Sequence, residues 1–217
     1  ETLIDNKINL SFNIKKTERL IVEKINILGN NITRENVIRN QFVIDEGDPY
    51  NDILTKKTIN NIKSLRFFKN VDSEIVDGST KDTKVINISV EEKATGEISA
   101  GAGFGSSGAS LQFGVKENNY LGKGLKVEAS ALLREDSVKG TFSITNPNFN
   151  NSEKSVYFSA QALEVNRLTE NGYKTNKQGF TIGTNFEYLD SLKLGLGTSN
   201  YLEKIETNST ASARQKK

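Results

Sequence analysis

From about Glu97 onward the chain alternates apolar and polar side chains in runs long enough to cross a bilayer, and no other feature limits its fold as tightly. Residues 109–116 read Ala-Ser-Leu-Gln-Phe-Gly-Val-Lys, residues 125–134 read Leu-Lys-Val-Glu-Ala-Ser-Ala-Leu-Leu-Arg, and residues 192–199 read Leu-Lys-Leu-Gly-Leu-Gly-Thr-Ser. Successive side chains on a strand point to opposite faces, so each run has one greasy side and one wet side. Strands of roughly 9–11 residues with this two-residue period cross membranes as parts of β-barrels.

Seven such strands are predicted, over about 97–105, 108–117, 124–134, 138–146, 155–164, 178–188 and 192–200. Their outward set would be Leu111, Phe113, Val115, Val127, Ala129 and Ala131, then Phe142, Ile144, Val156 and Phe158, then Phe180, Ile182, Phe186, Leu192, Leu194 and Leu196. Charges should fall almost wholly on the opposite face, while Leu132 and Leu163 interrupt the alternation. A tight turn at Leu121-Gly122-Lys123-Gly124 and a long loop from Val165 to Lys177 suggest the short-turn and long-loop rims of an outer-membrane barrel. A soluble antiparallel sandwich also alternates. The length of these strands and a total of only two prolines favour the barrel.

Residues upstream read differently. Ile8–Ile14 is strand-like and needs partners to be stable. Leu20 to Leu28 reads as a strand ending at the turn signal Gly29-Asn30. Thr33 is a good helix cap, with Ile32 and Val37 spaced as a hydrophobic staple, which predicts a short helix over residues 34–41. After the break at Gly47-Asp48-Pro49, Asn51 should cap a second helix reaching about Leu65, with Leu54, Ile59, Ile62 and Leu65 at helical spacing. Strands over about 70–76 and 84–91 complete a β-α-α-β-β order. The predicted core is Ile25, Ile27, Val37, Ile38, Leu54, Ile62, Leu65, Phe68, Val71, Ile75, Ile86, Ile88 and Val90.

Composition removes several functions. Cysteine and histidine are absent, which excludes thiol nucleophiles, thiolate or imidazole metal sites and histidine acid–base chemistry. With 29 basic and 27 acidic residues there is no polyelectrolyte signal toward nucleic acid. No run of 18 apolar residues is present, so no transmembrane helix is expected. Methionine is absent even at position 1, from which the chain is expected to be a piece of a longer protein.

Gly103-Phe104-Gly105-Ser106-Ser107-Gly108 fits the G-x-G-x-x-G spacing of a dinucleotide site, but such a site needs the glycines to open a helix. A strict alternation follows instead, so a hairpin between the first two barrel strands is the better reading. Gly101, Gly103 and Gly105 fill the inward positions of that first strand's second half. A glycine-rich strand is weakly specified in register and pairs weakly. It is either a curved strand beneath a crowded lumen or a barrel edge able to open.

Several of these segments resemble a known family. Leu28-Gly29-Asn30, Glu46-Gly47-Asp48-Pro49-Tyr50 and Leu65-Arg66-Phe67-Phe68-Lys69-Asn70-Val71 resemble successive signatures of a polypeptide-transport-associated (POTRA) domain. Thr95-Gly96-Glu97 through Gly108, Asn118-Asn119-Tyr120-Leu121-Gly122-Lys123-Gly124 and Thr145-Asn146-Pro147-Asn148-Phe149 resemble the start of the barrel in the BamA family of outer-membrane β-barrel assembly proteins. The resemblance implies an α+β POTRA domain followed by seven strands of a transmembrane barrel of about sixteen. Residues 1–17 would end a preceding POTRA domain, residues 18–92 would form the barrel-proximal one, and residues 93–217 would begin the barrel.

The family implies insertion of other barrels into the outer membrane of a Gram-negative-type bacterium, with no enzyme activity, cofactor or metal. Its partners would be unfolded outer-membrane clients, accessory lipoproteins and outer-membrane lipid, with the POTRA domain in the periplasm. Client strands would pair with the backbone of Glu97, Ser99, Gly101, Gly103 and Gly105, and a lipoprotein would contact Arg39 and Glu46. The competing expectation is a related POTRA–barrel transporter that secretes a dedicated passenger. An open sheet with a lipid-facing side should aggregate in water unless detergent covers it.

Overall fold

The computed structural model describes residues 2–4, 7–9, 19–105, 108–189 and 192–212. Two short strands, β1 (Thr2–Ile4) and β2 (Lys7–Asn9), pair as an antiparallel hairpin. The strand expected over residues 8–14 is thus present at its start, and its remainder lies outside the described residues.

The α+β unit comprises β3 (Ile21–Leu28), α1 (Glu35–Arg39), α2 (Asp52–Ser64), β4 (Phe68–Asp77) and β5 (Thr83–Glu92). β5 lies in the middle of the sheet, parallel to β3 and antiparallel to β4. α2 begins where expected, because the Asn51 side chain accepts hydrogen bonds from the Ile53 and Leu54 amides and so satisfies two N–H groups left free by the first turn. Its buried residues, including Ile59 and Ile62, pack with Ile38 and Ile44 against Val22, Ile25, Ile86 and Ile88 of the sheet.

Two expectations for this unit need correction. Ile75 is 37% exposed rather than core, because on β4 only Phe68 and Val71, at the strand's start, are buried. Val22, Ile44, Ile59 and Phe67 join the core instead. Ile27, Leu54 and Leu65 pack only at its margin. The second correction concerns α1, which starts one residue later than predicted, with Arg34 at the cap position and no side-chain cap. Ile32 is 69% exposed, so no staple forms.

The second unit is one seven-stranded antiparallel sheet in strict chain order. Its strands are β6 (Gly96–Gly105), β7 (Gly108–Tyr120), β8 (Leu125–Arg134), β9 (Ser137–Asn146), β10 (Ser155–Arg167), β11 (Tyr173–Leu189) and β12 (Leu192–Thr207). The register puts the whole predicted outward set on one face; one hydrogen-bonded row runs Ile98, Val115, Ala129, Phe142, Ala160, Phe180. The opposite face carries the row Glu97, Lys116, Glu128, Ser143, Ser159, Thr181. Leu132 and Leu163 lie on this polar face, each opposite Lys139.

Among the described residues no second sheet covers the apolar face. Ile98 and Phe104 remain 86% and 88% exposed. A sandwich would bury these side chains between two sheets, so the sandwich alternative fails and the sheet is that of a barrel wall.

The predicted loop from Val165 to Lys177 is shorter than expected. β10 and β11 stay paired from Ser155↔Asn185 to Arg167↔Tyr173, leaving residues 168–172 as the turn. The rims accordingly lack the expected asymmetry, since the longest described connection, residues 147–154, lies on the rim next to the α+β unit. Charges also reach the apolar face at the far end of the long strands, where Glu164 pairs with Lys174 at 2.8 Å and Lys204 with Glu206 at 2.9 Å.

The core assignment predicts that Ile62→Ala costs about 2–5 kcal/mol, the price of a cavity beneath the sheet. Ile75→Ala should cost less than about 1 kcal/mol. Urea titration of the protein in detergent, followed by amide exchange along β5, separates the two.

Candidate functional site

β6 carries the residues expected to pair with client strands. Ten consecutive pairs, from Gly96↔Glu117 to Gly105↔Gly108, join it to β7, which is its one hydrogen-bonded neighbour among the described residues. The turn residues 106 and 107 of the predicted hairpin lie outside the described residues. Every residue of β6 is exposed.

Its two faces differ. One presents Ile98, Ala100, Ala102 and Phe104, and the other presents Glu97, Ser99, Gly101, Gly103 and Gly105. A methyl group added at Gly101 or Gly105 would meet nothing within 4 Å. Across from Gly101 and Gly105 β7 places Gln112 and Gly108, and the Ser99 hydroxyl donates to the carbonyl of Gly114, its own partner, at 3.4 Å. Glu97 lies at the charged end of this face, beside Lys116, which pairs with Glu128 at 3.4 Å. The strand is therefore held almost entirely by backbone hydrogen bonds on its polar side, with little side-chain packing to specify a partner.

Arg39 and Glu46, expected at a lipoprotein contact, are brought together at 3.8 Å. Both also hold β3: the Ile25 amide donates to Glu46 at 2.9 Å, and the Arg39 guanidinium donates to the Ile25 carbonyl at 3.2 Å. Arg39 pairs further with Glu35 at 2.7 Å. Exposed pairs of this kind are worth about 0–1 kcal/mol each, so the cluster braces α1 against β3 rather than holding the domain together.

The region that the sequence did not reveal is the junction between the two units. Thr33 does not cap α1; it is 2% exposed, and its hydroxyl accepts a 2.8 Å hydrogen bond from the Asn119 side chain at the end of β7. Asn119, 6% exposed, also accepts from the Gly124 amide at 2.8 Å. The Arg34 amide donates to the Gly122 carbonyl at 2.8 Å. Gly122 and Gly124 both have positive φ (69° and 66°), and a methyl group on Gly122 would run into the Ile32 carbonyl. On Gly124 it would come within 3.0 Å of Val37.

Around this contact Glu117 bonds Thr95, and the side chains of Asn36 and Asn40 donate to Asn151 at 3.2 and 3.3 Å. Glu92, at the end of β5, accepts from the Ile32 and Thr33 amides at 2.9 and 2.6 Å. Burial alone would raise the Glu92 pKa, but hydrogen bonds from the Thr33 hydroxyl and amide and from the Ile32 and Asn31 amides outweigh it and hold the carboxyl below its ordinary value. A continuous relay thus runs from β5 through Thr33 and Asn119 into the barrel sheet. The glycines at 122 and 124 announced a turn in the sequence, but nothing in it announced what the turn would touch.

Comparison with known proteins agrees with this architecture. Residues 20–93 match the POTRA family, described as surface antigen variable number repeat. The outer membrane protein assembly factor BamA of Nitratidesulfovibrio vulgaris is 27% identical over 152 residues, covering 68% of this chain and 19% of its own length. BamA of Neorickettsia risticii is 26% identical over 206 residues, covering 92% of this chain and 27% of its own length. Among solved structures, BamA from Haemophilus ducreyi lacking POTRA domains 1–3 aligns with a TM-score of 0.77 at 23% identity, over 87% of this chain and 36% of that one. CdiB from Acinetobacter baumannii aligns at 0.55 and 14% identity, over 87% of this chain and 38% of that one.

The chain therefore has the fold of the POTRA–barrel class, with a POTRA domain leading directly into an antiparallel barrel sheet. Within that class it is related to the BamA outer-membrane assembly factors, and it spans about a fifth to a quarter of the length of the two relatives above.

Two outcomes follow from the junction. Gly122→Ala should open it by roughly 1–3 kcal/mol, seen as faster amide exchange at Arg34 and Gly124 with β3 and β5 unaffected. A carboxyl with a depressed pKa stabilises the folded contact above its ordinary value of 4.5 and loses that stabilisation as the pH falls through the lower folded value. Protection at Arg34 and Gly124 should therefore decline on acidification below pH 4.5, and Glu92→Gln should flatten that decline.

Proposed function

We propose that this chain is the barrel-proximal part of a non-enzymatic machine that assembles and inserts β-barrel proteins into the outer membrane. β6 templates the incoming strand, and the POTRA domain, on the periplasmic side, docks accessory lipoproteins through the surface around Arg39 and Glu46. The observation that carries the reading is β6 itself: among the described residues a fully exposed strand at the sheet edge, apolar on one face and nearly free of side chains on the other beyond Glu97 and Ser99.

The chemistry is that of backbone pairing. In lipid each unsatisfied N–H or C=O costs several kcal/mol, so a free edge there binds any strand that can complete it. Ser99, Gly101, Gly103 and Gly105 turn their own peptide groups toward β7, so the groups open to a client strand are those of Ile98, Ala100, Ala102 and Phe104. The glycines between them leave the polar face without side chains that would select one partner, which suits a template for many client sequences. Exchange needs no energy source, since each hydrogen bond to an outgoing strand is replaced by one to the incoming strand.

The alternative, a POTRA–barrel transporter for one passenger, is supported by the likeness to CdiB, whose fold match at a TM-score of 0.55 is weaker than the 0.77 to BamA. One experiment separates them. Ser99→Cys in the full-length protein should form disulfides with cysteines placed in a stalled outer-membrane client, whereas Lys116→Cys on β7 should not. Crosslinks confined to the protein's own last barrel strand, with a passenger caught in the lumen, would replace insertion with secretion.

A further inference from the structure

Between the POTRA domain and the near rim of the sheet lies a cavity of about 1200 Å³. This exceeds the roughly 300–1,000 Å³ of small-molecule sites. Its charged lining is one-sided. Arg34 and Arg66 come from the POTRA domain, Lys93 from the connector, Lys123 from the β7–β8 turn, and Lys116 and Lys126 from the sheet, against Glu97 alone. Lys116 is paired with Glu128. Among the described residues the other five cations make no ion pair.

The junction fixes these cations relative to one another. Arg34 precedes α1 and is anchored by its amide to Gly122, one residue before Lys123. Arg66 follows the last residue of the α2 cap with φ of 62°, a left-handed conformation that ordinarily belongs to glycine at this place in a helix end. A long cationic side chain is thus held where glycine would be the less strained choice, and it lines the cavity. Such strain, of order 1–3 kcal/mol, collects where a side chain has work to do.

We infer that this cavity is a cationic vestibule that receives a carboxylate-rich, extended polypeptide segment on its way to the sheet. Charge complementarity requires an anion, and the position of the cavity selects the kind. It opens on the polar face, with Lys116, Lys126 and Glu97, while the apolar band lies on the opposite face, so a lipid would find phosphate partners but, for its chains, only scattered apolar side chains such as Leu65, Leu125 and Pro147. Amide side chains, Asn118 and Asn148 among them, also line it and suit peptide groups, which both donate and accept. The inference deepens the proposed function by giving the unfolded chain an electrostatic entry beside β6.

The test uses the full-length protein in detergent and a short unstructured peptide alternating Glu with Ser, with a Lys-for-Glu peptide, inorganic phosphate and phosphatidylglycerol vesicles as comparisons. The acidic peptide should bind, more weakly as salt rises, and the Lys peptide should not. Replacing the four cations together (Arg66→Gly, Lys93→Gln, Lys123→Gln, Lys126→Gln) should weaken binding about tenfold or more. Unchanged amide protection at Arg34 and Gly124 shows that the junction survives. Should that variant misfold, Arg66→Gly alone still tests the inference, because it removes a charge while relieving the backbone.

A photocrosslinker at Asn148 should label the acidic peptide, and one at Ile98 on the opposite face should not. Undiminished binding by the variants, equal binding of the Lys peptide, or full displacement by phosphate or phosphatidylglycerol would overturn the vestibule. Client crosslinks at Ser99 without peptide binding would leave strand templating standing and remove this inference, and the converse pattern would do the reverse.

Discussion

A β-sheet with one apolar face and no layer packed on it must find an apolar solvent outside the protein. The band from Ile98 and Val115 to Phe142 and Phe180 meets this requirement only in a bilayer. Once the band is in lipid, the backbone is constrained as well, since peptide groups there cannot turn to water. Every strand between the edges has both rows of hydrogen bonds filled by neighbours in chain order. What is left, among the described strands, is the two edges β6 and β12, and the chemistry proposed for the protein lies at β6.

The POTRA domain obeys the opposite solvent rule. Its two helices cover one side of a three-stranded sheet, and Ile25, Ile62, Ile86 and Ile88 are buried in the ordinary way. Two units with such different requirements share little apolar surface, so the described contact between them is polar and sterically tight. Thr33, Asn119 and Glu92 satisfy one another, and two positive-φ glycines let the backbones approach. A buried polar contact costs about 1–3 kcal/mol when one partner is lost, which makes it directional and breakable. It also orients the cations around the cavity.

Where sequence and structure part, the cause is tertiary. Thr33 has the sequence of a helix cap, yet its hydroxyl serves a residue 86 positions away. Ile75 alternates correctly on β4, but only the start of that strand is buried. The segment from Val165 to Lys177 is polar enough to read as a loop, yet it continues two strands outward, and the ion pair of Arg167 with Asp136 at 2.7 Å ties the end of β10 to the β8–β9 turn. Arg39 and Glu46 were legible as charges near a turn, and their mutual contact and shared grip on Ile25 were not.

The sequence by itself determined the architecture: the two-residue period set strand number and face, and the helical spacing with Asn51 set α2. Those signals are local, because alternation and capping depend on neighbours a few residues apart. Tertiary structure alone decided that, among the described residues, no second layer covers the sheet, that the β7–β8 turn docks against the loop before α1, and that five cations without an ion pair there, from four segments of the chain, face one cavity. Contacts across such distances in the chain leave no periodic trace in it, since each depends on two segments whose spacing the sequence pattern does not record.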